Sequence, residues 1–131
     1  MKTVKVAAAV IVDGGKIFAT QRGYGAYKDG WEFPGGKIEK GESGEEAVIR
    51  EIREELTADI CVTSFLCTSE YDYPEFHISM DCFVCRIAGG DLRLLEHEDA
   101  RWLSAEKLDT VNWLPADRQI IGKVKEILKD A

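Results

Sequence analysis

A chain of 131 residues with 45% hydrophobic content is the size of one domain, with apolar side chains enough for a core and no room for a second. Its net charge of −7 and pI near 4.9 argue against a nucleic-acid polymer or an anionic membrane as partner, because both attract basic faces. No stretch reaches transmembrane length, and the apolar run 6–12 is only seven residues long and ends in a turn rather than a cleavage pattern, so a cytoplasmic protein is expected.

Residues 3–12 read as a buried strand, Asp13-Gly14-Gly15 as a turn, and Lys16 to Arg22 as its hairpin partner. Residues 23–30 are glycine-rich and polar, which predicts a mobile surface loop of the kind that rims a site. Trp31 to Pro34 leads into Gly35-Gly36, where bare backbone can approach a ligand and a carbonyl can face a metal. Ser43 followed by Glu46 is a capping box, so a helix starts near Gly44, with Ala47, Val48, Ile52 and Leu56 as its apolar stripe.

Glu51, Glu54 and Glu55 are related by three and four residues and share another side of that helix. Two carboxylates about 5 Å apart at an effective dielectric of about 20 repel by about 3 kcal/mol. They also lie in or near the last helical turn, where the macrodipole favours cations. A solvated acidic face is one reading of such a run. A divalent-cation site is the other, since hard cations take carboxylate oxygens.

Beyond the helix, Ile60 to Tyr71 and His77 to Ile87 form a second predicted hairpin, joined by Tyr73-Pro74-Glu75-Phe76. His77 is expected to fill a paired strand position with no catalytic role. Cys82 and Cys85 have C-x-x-C spacing, yet in a strand that spacing sends them to opposite faces, so Cys61, Cys67, Cys82 and Cys85 are expected to be free thiols in a reducing compartment. Ala88-Gly89-Gly90-Asp91 is expected to break the chain, followed by a short strand and the acidic loop Glu96-His97-Glu98-Asp99. A strand over 100–103 and a short helix capped by Ser104 come next. Asp117 is expected to open the final helix, whose buried face is Ile120, Ile121, Val124, Ile127 and Leu128.

Gly36, five residues, Glu42, seven residues, then Arg50-Glu51-Ile52-Arg53-Glu54-Glu55 resembles the signature of the Nudix hydrolases, and Glu32-Phe33-Pro34-Gly35-Gly36-Lys37-Ile38-Glu39 resembles its MutT-like branch. One position departs: the family has glycine where this chain has Thr57, which leaves the helix end open and removes no ligand.

The resemblance implies an α/β fold, the Nudix α/β/α sandwich with a central mixed sheet. It implies hydrolysis of a nucleoside triphosphate to a monophosphate and pyrophosphate with Mg²⁺ or Mn²⁺. Glu54, Glu55 and the Gly35 carbonyl would hold metal, with Glu51 as ligand or general base and Glu96, or alternatively Glu98, as a further acid. Arg50 would orient the carboxylates, and Glu42 would pair with an arginine and brace the loop. Arg22, Phe33, Pro34, Gly35, Tyr73, Phe76 and Asp117 would line the nucleotide, Asp117 at the base edge. The family's best-known task makes 8-oxo-dGTP the leading substrate, with (d)CTP or a 5-substituted derivative as runner-up. An ionised Asp117 suits the adjacent N1–H and 2-amino donors of guanine, whereas cytosine would need it protonated. A catalytically silent nucleotide-sensing or partner-binding Nudix domain, and a structural domain with an acidic helix, are the readings of another class. A monomer or a homodimer is expected.

Overall fold

The structure, a computed structural model, describes residues 1–93 and 97–130. Strand β1 (Thr3–Asp13) turns through two glycines of positive φ into β2 (Lys16–Arg22), and two short strands follow, β3 (Trp31–Glu32) and β4 (Gly35–Lys37). Helix α1 (Gly44–Leu56) precedes the long hairpin β5 (Ala58–Asp72) and β6 (His77–Gly90). Then come β7 (His97–Ser104), a 3₁₀ turn over Ala105–Thr110, α2 (Pro115–Arg118) and α3 (Ile121–Asp130).

The sheet runs β3-β2-β1-β6-β5, with β4 also paired to β1 and β7 to β2. It is mixed: β1 and β6 are parallel over Thr3↔His77 to Ile11↔Cys85, and the other pairs are antiparallel. Residues 7–12 of β1 are all buried because both faces of this strand are covered, which is why it reads as a continuous apolar run. Ala8, Val10 and Val12 pack on one side with Val111, Ala116, Ile120 and Val124; Ala7, Ala9 and Ile11 pack on the other with the α1 stripe Ala47, Val48, Ile52 and Leu56. Alternation along one strand thus builds two cores. Cys82 and Cys85 fall one in each, as their spacing predicts, and all four cysteines are free.

Several boundaries differ from expectation. Strand β6 does not break at Ala88 but stays paired as far as Gly90, opposite Ala58. A Cβ on Gly90 would meet the Thr57 carbonyl oxygen at 2.7 Å, so this glycine serves a close approach to the helix end. Asp99 lies in β7 rather than in a loop, and residues 91–93 are not strand. The segment 105–110 is 3₁₀, and Ser104 makes no side-chain capping bond. The final helical stretch is two pieces, and Asp117 sits within the first, its side chain turned to Phe33 instead of capping. The loop 23–30 closes on the end of β2: Arg22 N–H donates to the Gly30 carbonyl, Asp29 N–H to the Arg22 carbonyl, and Gly30 N–H to the Tyr27 carbonyl.

Helix α1 ends as a glycine-terminated helix would, but with threonine. Thr57 takes the left-handed conformation (φ 58°, ψ 20°) and donates its N–H to the Arg53 carbonyl. That conformation costs a β-branched residue about 1–2 kcal/mol. The Thr57 hydroxyl offsets part of this by donating to the Asp91 carbonyl at 2.7 Å.

Candidate active site

The capping box forms as its residues dictate: Ser43 Oγ accepts the Glu46 N–H at 3.0 Å, and Glu46 Oε1 accepts the Ser43 N–H at 2.9 Å. With the apolar stripe buried, the acidic side of α1 is turned toward β4. Glu51, 14% exposed, lies directly over Gly36, where a Cβ would come within 2.4 Å of its carboxyl carbon. At Gly35 a Cβ would meet the Ala7 carbonyl oxygen at 2.0 Å. Both glycines are required by close approach, one to a carboxylate and one to the neighbouring strand.

Arg50 is the hub of this face. Its Nε and Nη2 clasp Glu42 at 2.6 and 2.9 Å, its Nη1 reaches Glu51 at 2.8 Å and Glu54 at 3.1 Å, and Nη2 also donates to the Lys37 carbonyl at 3.0 Å. The planar guanidinium makes such multiple use possible, where a lysine would not. Its pKa is driven further up, first by the bond to Glu42, and Glu42 is held below the usual carboxylate range chiefly by Arg50 and then by the Glu39 N–H. Glu42 therefore braces the loop that leads into α1, as the sequence predicts.

The candidate donors on this side are all oxygen: the Glu51, Glu54 and Glu55 carboxylates and the backbone at Gly35. That set suits Mg²⁺ or Mn²⁺ better than a soft metal. Among the described residues no three acidic, histidine or cysteine side chains are already gathered as a metal centre, because Glu51 and Glu54 are turned to Arg50. Glu54 is 60% exposed, with room to turn. Glu96 lies outside the described residues, as does the side chain of its alternative, Glu98.

A cleft of about 390 Å³ begins at Glu55, Gly35, Gly36 and Lys37 and reaches Arg22 and Phe76. A smaller cavity of about 110 Å³ shares Arg22, Glu32, Gly35 and Phe76 with it and continues to Phe33, Tyr73 and Asp117. The two adjoin along these shared walls, one bordered by the acidic helix at Glu55 and the other by a buried acid on α2.

Asp117 is 4% exposed, and its Oδ2 accepts the Phe33 N–H at 2.9 Å across 84 residues of sequence. Its pKa is raised well above the usual carboxylate value, first by burial and then by the Glu32 charge; the Phe33 N–H and Arg22 pull the other way and do not prevail. Phe33 stacks on Trp113 at 4.6 Å, which fixes the backbone that Asp117 touches. Tyr73 is a buried packing residue whose hydroxyl accepts the Ala116 N–H at 3.2 Å, and Phe76 stacks on it at 5.2 Å. Both border the cavity, so each is wall and core at once. Pro34 does not line it. That residue is buried, and its carbonyl accepts the Ala9 N–H.

Arg22 stands where the two cavities meet, already engaged: Nε and Nη2 bind Glu32 at 3.1 and 2.9 Å, and Nη1 donates to the Ala26 carbonyl. Glu32 is the residue that sequence reading passed over. The signal was faint, a carboxylate in a two-residue strand, and its pairing with Arg22 depends on the β2–β3 contact that sets Thr20 opposite Glu32.

Comparison with known proteins gives the family. Residues 1–124 match the NUDIX domain. The chain is 33% identical over 129 residues to the 8-oxo-dGTP diphosphatase of Escherichia coli K12, covering 97% of this chain and all of that one. It is 34% identical over 118 residues to the CTP pyrophosphohydrolase of the same organism, covering 89% and 87%. The crystal structure of a MutT NUDIX hydrolase from Burkholderia pseudomallei superposes with a TM-score of 0.87 at 26% identity, covering 95% of this chain and 99% of that one. A mixed sheet between helices with this signature helix is the Nudix α/β/α sandwich. The chain belongs to the NUDIX family and is a hydrolase of that family.

No described helix is long and apolar enough to cross a membrane.

Proposed function

We propose that the protein is a metal-dependent nucleoside triphosphate pyrophosphohydrolase that adds water across a phosphoanhydride and releases a nucleoside monophosphate and pyrophosphate. The observation that carries this reading is the pair of adjoining cavities, one bordered by the acidic helix at Glu55 and the other by a buried hydrogen-bonding acid. Phosphates are heavily anionic, and an acidic lining repels them unless cations intervene. Glu54, Glu55, Glu51 and the Gly35 carbonyl would hold Mg²⁺ or Mn²⁺, with Glu96 as a further acid. The ion, when bound, neutralises phosphate charge and lowers the pKa of a water.

The chain's own groups do the rest. Arg50 positions Glu51 and Glu54, and Glu51 or Glu96 accepts a proton from the attacking water. Arg22, tethered to Glu32, and Lys37 supply positive charge along the phosphate path. Phe33 and Phe76 wall the nucleobase, Tyr73 supports that wall, and Asp117 reads the base edge. The leading substrate is 8-oxo-dGTP, in keeping with the named relatives. A second reading, (d)CTP or a 5-substituted derivative, is favoured by the burial of Asp117, since a neutral carboxyl can pair with cytosine. A silent binding module is disfavoured because Glu51, Glu54 and Glu55 are all retained.

A panel of triphosphates incubated with Mg²⁺, including 8-oxo-dGTP, CTP and 5-methyl-dCTP, tests the reading. Pyrophosphate and monophosphate are the expected products. Release of inorganic phosphate alone would place the cleavage elsewhere and overturn it.

A further inference from the structure

The base end of the cleft holds a carboxyl in surroundings that disfavour charge. A backbone N–H, the partner of Asp117 Oδ2, satisfies a carboxylate oxygen and the carbonyl of a carboxylic acid alike. The nearby cation is Arg22, and its guanidinium is directed at Glu32 and the Ala26 carbonyl. Glu32 lines the same small cavity, so an ionised Asp117, itself almost fully buried, would face a second negative charge across it. The other titratable neighbours are Tyr73 from the β5–β6 turn and Cys82 from β6, both pushed up chiefly by burial and both neutral at physiological pH.

We propose that Asp117 meets the nucleobase as a neutral acid, one oxygen donating and one accepting, and that Glu32 is the specificity-determining residue that keeps the proton there. The inference rests on the nucleotide-binding part of the proposed function and deepens it. A neutral carboxyl pairs with an edge on which an N–H sits beside an acceptor: the 4-amino group and N3 of cytosine, N7–H and O6 of 8-oxoguanine, N1–H and O6 of guanine. An ionised carboxylate offers two acceptors and takes the N1–H and 2-amino donors of guanine, leaving cytosine without a match. The proton on Asp117 therefore widens the pocket to two classes of base, and Glu32, paired with Arg22 on the wall of the same cavity, acts by positioning charge.

Carbon-detected NMR of the Asp117 carboxyl, with CMP and GMP as binding probes, tests this directly. The carboxyl should titrate well above the ordinary aspartate value. Glu32→Gln removes the opposing charge and frees Arg22, so the midpoint should fall by about one unit or more. As a control with its own fold risk, Arg22→Met leaves Glu32 uncompensated and should move the midpoint up. In wild type the CMP-to-GMP affinity ratio should fall as the carboxyl ionises, whereas Asp117→Asn, with donor and acceptor fixed, should hold the ratio constant. An Asp117 that titrates at the ordinary aspartate value, a midpoint unmoved by Glu32→Gln, or a ratio that stays level while the wild-type carboxyl titrates would each overturn the proposal. Failure of every triphosphate to yield pyrophosphate would sink the proposed reaction and leave the NMR result standing. Pyrophosphate release beside an ionised Asp117 would sink this inference alone.

Discussion

At the α1 end of the cleft, Glu42, Glu51 and Glu54 are gathered on Arg50, whose guanidinium pairs with all three. At the α2 end, Asp117 is buried, shares its cavity with Glu32, and has a backbone N–H where the helix acids have a cation. The same side-chain chemistry is thus held in two settings, ion pairing at one end and burial, which raises the Asp117 pKa, at the other. The first arrangement suits a metal and phosphates; the second suits the polar edge of a base.

Disturbing the charged end should have the largest effect. Glu54→Gln and Glu55→Gln should each lower the rate by more than about 100-fold with the fold intact, and should blunt the rise in Tm that Mg²⁺ gives the wild-type protein. Near-normal activity in both variants would remove them from the site. Arg50→Ala should lower the rate by about 10–100-fold, a typical loss when the residue orienting a metal ligand is removed, and should lower Tm by leaving Glu42 and Glu51 without their partner. Steady-state kinetics with calorimetry checks both.

The buried end should respond more in selectivity and pH dependence than in rate. Asp117→Asn should change the ranking of triphosphates more than the turnover of the best one. It should also change stability with a definite sign. The folded pKa of Asp117 is raised, so its stabilising contribution is complete below the unfolded value of about 3.9 and declines as pH climbs toward the folded value. Asn escapes that decline, and the Tm of Asp117→Asn relative to wild type should grow from about pH 4 upward. An unchanged substrate ranking would reduce Asp117 to a packing group.

The smallest expected effect lies at the outer end of the β5–β6 hairpin. His77 sits between Asp72 at 2.6 Å and Glu70 at 3.0 Å, one carboxylate on each ring nitrogen, which requires the imidazolium form. Its pKa is raised, first by Glu70 and then by Asp72. The stability it adds is complete below about pH 6.5 and is lost as pH rises through the folded value. His77→Gln should therefore fall below wild type in mildly acidic buffer and converge with it at alkaline pH. Thermal melts across that range decide it.

Where local pattern carried the information, sequence and structure agree. The capping box, the α1 stripe, the turn after β1 and the separation of Cys82 from Cys85 all follow from period and turn chemistry within a few residues. Pairing of Glu42 with an arginine was equally legible, since both lie in one continuous signature. Glu32 with Arg22 was not, because β2 and β3 meet only after the intervening loop closes. Turn chemistry also misplaces the end of β6, where Gly89-Gly90 reads as a break. In the folded chain Gly90 answers instead to the Thr57 carbonyl, a contact invisible in the linear sequence.

The order of residues alone settled that one helix would carry three glutamates beside an apolar stripe, since helical spacing fixes which side chains are neighbours. It could not settle the proton on Asp117. That depends on how deeply the α2 turn is buried and on which charges β2 and β3 bring to it, and both come into being only when residues 22, 32, 33 and 117 meet. Spacing sets identity along an element, whereas solvation is a property of the assembled interior.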